Sequence, residues 1–185
     1  MRMKARSWAM LLITSGTALL FNGCATAPQV APLQETAAKL VQKDPLNPEA
    51  WVEYGRAALF SNNLSAAEMA FRRALSLNEN YLPAYKHLGM VLVTIKRFTD
   101  AKVNYEHALH ISEKDSELWT AYGYCLVDLG NKKEAIEAFK KSIEANTNAV
   151  AVVSAHLGLS GIFRTTGDEL SAKREIQEAV KLIQR

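Results

Sequence analysis

Small and aromatic residues return along this chain at a fixed step of 34 positions. Trp51, Tyr85 and Trp119 make one column, and Gly55, Gly89 and Gly123 a second. Ala67, Ala101 and Ala135 make a third, and Phe71, Tyr105 and Phe139 a fourth. Within one period the apolar positions fall on helical faces. Trp51, Tyr54, Gly55 and Ala58 stand at i, i+3, i+4 and i+7. After the turn-like Ser61-Asn62-Asn63, Ala67, Phe71 and Ala74 stand at i, i+4 and i+7. The pattern therefore predicts two amphipathic helices per period. A glycine inside a helix costs about 1 kcal/mol against alanine, so three in phase predict close packing that compensates. Gly55 and Ala67 are expected to let the paired helices approach, with Trp51 and Phe71 filling the space beside them. The second period repeats the layout with Tyr85, Leu88, Gly89, Leu92, Ala101, Tyr105 and Ala108. The third does so with Trp119, Tyr122, Gly123, Leu126, Ala135 and Phe139, but puts Ser142 where alanine stood.

A two-helix unit of this length, with small residues at fixed offsets from rings, resembles the tetratricopeptide repeat. Asp44-Pro45-Leu46-Asn47-Pro48-Glu49-Ala50-Trp51 is similar to that family's junction between units. Pro45 stops one helix there, and Pro48 suits the first turn of the next. The resemblance implies an all-α, right-handed α-solenoid that holds other proteins rather than transforming them. Three clear units occupy residues 48–81, 82–115 and 116–149. Residues 33–47 predict an N-terminal helix and junction through Leu33, Ala37, Leu40 and Val41. Residues 150–185 predict a divergent fourth unit or capping helices, through Leu157, Gly158, Ala172, Ile176, Ala179 and Val180. Gly158 and Ala172 are 14 apart where Gly55 and Ala67 are 12 apart. The surplus is expected at the turn Thr165-Thr166-Gly167-Asp168. Lys173, Arg174, Glu175, Glu178 and Lys181 fit a last helix that faces water.

The first residues follow another logic. Arg2, Lys4 and Arg6 precede a mostly apolar run from Trp8 to Phe21, which is short for a membrane span. A basic start, a short apolar core and a small residue before a cleavage point read as a signal peptide, residues 1–23. Phe21-Asn22-Gly23-Cys24 resembles a bacterial lipobox, although that motif usually carries leucine or another aliphatic residue where Phe21 stands. The resemblance implies lipidation of Cys24, a tether over residues 24–32 and a lipid anchor in the membrane. By analogy with Gram-negative lipoproteins, Ala25 is not the retention aspartate, which implies the outer membrane, facing the periplasm. One alternative is cleavage after Ala25 or Ala27, leaving a soluble periplasmic protein; another is an uncleaved inner-membrane anchor.

Charge adds little to this. The net charge of +3 comes from 22 basic and 19 acidic residues, so loss of Arg2, Lys4 and Arg6 leaves the chain balanced. No basic face then argues for nucleic acid. With Cys24 lipidated, Cys125 is left alone between Tyr124 and Leu126 in a repeat helix, where burial is expected. His107 and His110 share a helix side, but no further ligand at a suitable spacing completes a metal set. His87 and His156 fall in first helices and are expected to pack or to line a groove. No serine elbow, phosphate loop or zinc-protease pattern stands in the sequence, so it nominates neither catalytic residues nor a cofactor. Arg72-Arg73 and Lys132-Lys133 have glutamates nearby and read as solvated helix faces.

In tetratricopeptide solenoids the first helices line the concave groove. That resemblance nominates three columns as a peptide groove: Val52, Lys86 and Thr120; Arg56, Met90 and Tyr124; Leu59, Val93 and Val127. Phe60, Thr94 and Asp128 are expected at its edge. The columns do not reproduce the carboxylate clamp of the family's chaperone-tail binders, and instead suit an extended or helical peptide with an apolar side. The layout of leader, lipid and repeats is similar to pilotin-type and tight-adherence pilus-assembly lipoproteins. It implies a non-enzymatic adaptor for envelope proteins, with a scaffold for cell-wall enzymes or a self-associating module as alternatives.

Overall fold

Helix boundaries keep the step of the sequence. In the structure, a computed structural model that describes residues 30–184, three first helices begin at Pro48, Leu82 and Ser116. They are α2 (Pro48–Phe60), α4 (Leu82–Thr94) and α6 (Ser116–Asp128), and each is followed by a second helix: α3 (Leu64–Leu77), α5 (Phe98–Ile111) and α7 (Lys132–Ala145). A preceding helix, α1 (Val30–Lys43), and a final pair, α8 (Ala149–Thr166) and α9 (Glu169–Ile183), flank them. Helix α1 begins inside the stretch expected as tether. Each helix packs on its chain neighbours and first helices also touch the next first helix, which makes an all-α solenoid of stacked hairpins.

Local chemistry sets these ends. Asn47 caps α2 by accepting from Glu49 N, Asp115 caps α6 by accepting from Glu117 N and Leu118 N, and Asn148 caps α8 by accepting from Val150 N and Ala151 N. Each first helix of the three clear units is followed by one left-handed residue: Asn62 (φ 56°), Lys96 (φ 62°) and Gly130 (φ 80°). The next amide in each case reaches back into the helix, Asn63 N to Ala58 O, Arg97 N to Leu92 O and Asn131 N to Leu126 O, all at 2.8 Å. This closure turns the chain sharply into the second helix.

The glycine column works differently from the expectation that glycine and alanine bring two backbones together. A Cβ at Gly55 would stand 2.5 Å from Phe71 Cε1, and one at Gly123 2.7 Å from Phe139 Cε1; Tyr105 lies on Gly89 in the same way. The second-helix ring rests on bare first-helix backbone, and Phe71 and Phe139 have no exposed surface. The tryptophans pack against the edge of the core. They are half-buried and donate their indole N–H outward, Trp51 to Pro45 O at 2.9 Å and Trp119 to Glu113 O at 2.6 Å, pinning the preceding junction.

The last hairpin departs from the repeat. The surplus residues do not enlarge the turn. They lengthen α8, which runs through Thr165 and Thr166 and ends at Gly167 with φ 82°. Gly158 does not serve a ring of α9 but faces Phe139, 2.7 Å from Cε2 to its would-be Cβ, so that ring is clasped between Gly123 and Gly158. Helix α8 therefore lies more closely on α6 than α4 does on α2. Ser142 gains its reason here: its hydroxyl donates to Ser116 O at 2.8 Å and meets Thr120 Oγ1 at 2.7 Å. Thr120 Oγ1 in turn donates to Ala151 O at 3.0 Å, so a buried hydroxyl network ties α6, α7 and α8. Cys125 is fully buried and its Sγ–H donates to Phe98 O at 3.3 Å. Burial pushes that thiol up to about 11.

Candidate protein-binding faces

The first helices present one face, and its columns divide. Val52 is buried at 4% exposure and belongs to the core. Thr120 is buried in the hydroxyl network. Lys86 reaches into the next unit, 2.8 Å from Asp115 Oδ2 and 2.7 Å from Glu117 Oε2. Burial pulls the Lys86 ammonium down, but these two carboxylates outweigh it and leave it above its ordinary range. The column Val52, Lys86 and Thr120 is thus not groove lining. It sits on the side of each first helix turned toward the following one, where it joins successive units.

The neighbouring columns do face outward. Met90 is 55% exposed, Tyr124 41% and Val127 37%. Arg56 is exposed and pairs with Glu53 at 2.7 Å. Leu59 and Val93 are half-buried against the core. At the edge stand Phe60, 68% exposed, with Thr94 and Asp128. Tyr124 is held rather than free, because its hydroxyl donates to Ser154 O at 2.8 Å and its ring meets Phe139 edge-on. His87 stacks on Phe71 with centroids 5.3 Å apart, and its Nδ1 is buried without a hydrogen-bond partner. Burial and then the Arg56 charge hold His87 below the ordinary histidine range, so it packs as a neutral ring.

The second helices build the opposite face, which the sequence reading passed over. Between α5 and α7 lies a cleft of about 760 Å³ whose floor is Trp119 and Tyr122 of α6. Leu109, His110, Glu113, Lys141 and Glu144 stand on its walls. The Tyr122 hydroxyl donates to Glu106 Oε1 at 2.9 Å, and burial raises its pKa. Lys141 lays its ammonium over the Trp119 ring, 4.4 Å from the centroid. One unit earlier His107 stacks on Tyr85 at 6.1 Å. The signal was present in the sequence: Arg73, His107 and Lys141 each follow a ring of the first column by 22 positions.

The remaining candidates are placed as follows. His107 and His110 are exposed, and among the described residues no group of three His, Cys, Asp or Glu is placed to hold a metal. His156 is buried and its Nδ1 lies 2.7 Å from Glu175 Oε2, joining α8 to α9. Arg72 pairs with Glu68, and Lys132 donates to Thr165. Cys24, the leader and residues 24–29 of the tether lie outside the described residues. Among the described residues no helix is long and apolar enough to cross a membrane.

With this geometry in place, residues 48–81 and 116–148 match the family model for the tetratricopeptide repeat. Those two stretches are tetratricopeptide repeats. Residues 82–115, between them, share the same helix boundaries at the same step. The chain is 28% identical over 98 residues to the general transcriptional corepressor ssn6 of Schizosaccharomyces pombe, covering 53% of this chain and 9% of that one. It thus spans less than a tenth of this curated relative. Its fold is similar to that of MamA 41-end from Desulfovibrio magneticus RS-1, with TM-score 0.75 and 18% identity over 85% of this chain and 87% of that one. It is also similar to a chain of the APC/C hetero-tetramer Cut9-Hcn1, with TM-score 0.74 and 18% identity over 85% and 30% of the two chains. These likenesses establish the solenoid.

Proposed function

We propose that this protein is a non-enzymatic adaptor that holds partner proteins at the periplasmic face of a bacterial outer membrane, tethered there by lipid on Cys24. The observation that carries the binding part is the outward row on the first helices, where Met90, Tyr124, Val127 and Phe60 keep large apolar surface in water. Repeat solenoids use such extended surfaces to bind. An apolar row with Arg56 at one end suits the apolar side of a partner peptide. The anchor rests on the basic start, the short apolar run and Phe21-Asn22-Gly23-Cys24. Two or more acyl chains give stable attachment where one gives only marginal binding. The leader-lipid-repeat layout favours a part in assembling an envelope machine such as a pilus or secretion complex.

Cys24→Ser tests the anchor: it should abolish metabolic lipid labelling and move the protein out of the outer-membrane fraction. Unchanged labelling removes the lipid from the account. A self-associating module is favoured by one separate observation, the stripe Ile176, Val180 and Ile183 exposed on α9. Light scattering separates the two, because a self-assembler is not monomeric at micromolar concentration.

A further inference from the structure

The cleft between the second helices of the second and third units carries a recognition chemistry of its own. Trp119 spends its indole N–H on Glu113 O, so it offers only its π face. That face already holds a cation: the Lys141 ammonium at 4.4 Å. The cleft's charged lining is three carboxylates, Glu106, Glu113 and Glu144, against one further lysine, Lys114, with His110 beside them. Glu106 is engaged by the Tyr122 hydroxyl at 2.9 Å and by Lys102 at 3.9 Å. Among the described residues Glu113 and Glu144 make no ion pair, and both are exposed on the cleft wall. An aromatic face ringed by carboxylates attracts ammonium and guanidinium groups, with arginine favoured because its flat head both stacks and forks toward carboxylates.

We propose that this cleft is a second protein-docking site that takes an arginine or lysine side chain from a basic segment of a partner, with Lys141 as an internal stand-in that the incoming cation displaces. The cleft's volume exceeds that of one such side chain, leaving room for flanking partner residues. The displaced Lys141 swings to solvent or toward Glu137, one helical turn before it and outside the cleft, where it would share that carboxylate with Lys140. The site lies on the face opposite the Met90–Tyr124 row and stands or falls independently of it. A solenoid with both faces engaged bridges two proteins.

The test titrates the full chain with a capped tri-arginine peptide, with capped tri-glutamate as control, and follows the ¹⁵N-indole resonance of Trp119, assigned by its loss in Trp119→Phe. Tri-arginine should shift that resonance saturably and tri-glutamate should not. Lys141→Met removes the stand-in and should tighten binding roughly two- to fivefold, the range of one exposed cation–π contact. Glu113→Gln combined with Glu144→Gln, both on the surface and harmless to folding, should weaken it by a similar factor. An unmoved Trp119 resonance, equal shifts from the acidic peptide, or binding weakened by Lys141→Met would overturn the proposal.

Discussion

Gly123→Ala sets two physical effects against each other. Helix propensity alone predicts a gain of about 1 kcal/mol, since alanine is the better helix former. Packing predicts the reverse. The added Cβ would stand 2.7, 2.8 and 3.0 Å from three atoms of the Phe139 ring. The ring has nowhere to retreat, because Gly158 of α8 holds its other side at 2.7 and 2.8 Å by the same measure. Overpacking of this kind costs about 1–3 kcal/mol, and a ring clasped from two sides belongs at the upper end. Subtracting the propensity gain leaves a net loss of about 2 kcal/mol. For a chain of this size that lowers Tm by about 4–8 °C. Gly161→Ala is the internal control. It lies in the same α8 with nothing within 4 Å of its would-be Cβ, so only the propensity gain operates and Tm should rise. Denaturant titration of both variants, and of Gly123→Ala in a Phe139→Leu background, decides the matter. In that background the loss should shrink by about 1 kcal/mol or more, the coupling expected of residues in contact. A Gly123→Ala protein stabilised like Gly161→Ala would refute the reasoning.

Other consequences follow from the same packing. Gly130→Ala, at φ 80°, should lose about 1 kcal/mol in a denaturant titration, while Lys96→Gly, at the equivalent left-handed position with φ 62°, should gain a smaller amount. Ser142→Ala removes the donor to Ser116 O and should cost about 1 kcal/mol, read in the same way, even though the two preceding units carry alanine there. Cys125 should resist alkylation at pH 8 in the folded protein and react at once when unfolded, because burial keeps its thiol protonated up to about 11. The unfolded thiol ionises first, so this group makes stability fall as pH rises from about 9 toward 11; a rise over that window would contradict its burial.

The fold was legible because four columns at one step leave little choice of architecture, and the helices begin where the columns place them. Ring and glycine were also named correctly as packing residues, but their partnership was not. Spacing shows which residues share a helix face, yet it cannot show that the Phe71 ring lies on Gly55 while Trp51 packs at the core's edge with its indole N–H on Pro45 O. The exposure of Met90, Tyr124 and Val127 on the first-helix face was legible from their spacing. The burial of Val52 and Thr120 was not, because their exposure depends on where the following first helix lies. Helix α8 sits closer than a regular unit would, owing to Gly158, and it covers Thr120 through Ala151 O. The second-helix cleft went unread because Trp119 already had an explanation as a repeat residue. Ser142, an apparent lapse in the pattern, is the mark of that altered contact.

The most direct test of the adaptor reading is photocrosslinking in living cells from a benzophenone side chain placed at Met90, compared with one at Glu35 on α1. The account predicts that Met90 captures one discrete envelope protein, that the adduct disappears when Tyr124→Ala and Phe60→Ala trim the row, and that Glu35 does not capture it. Adducts equal at the two positions, or an adduct indifferent to the trimmed row, would contradict it.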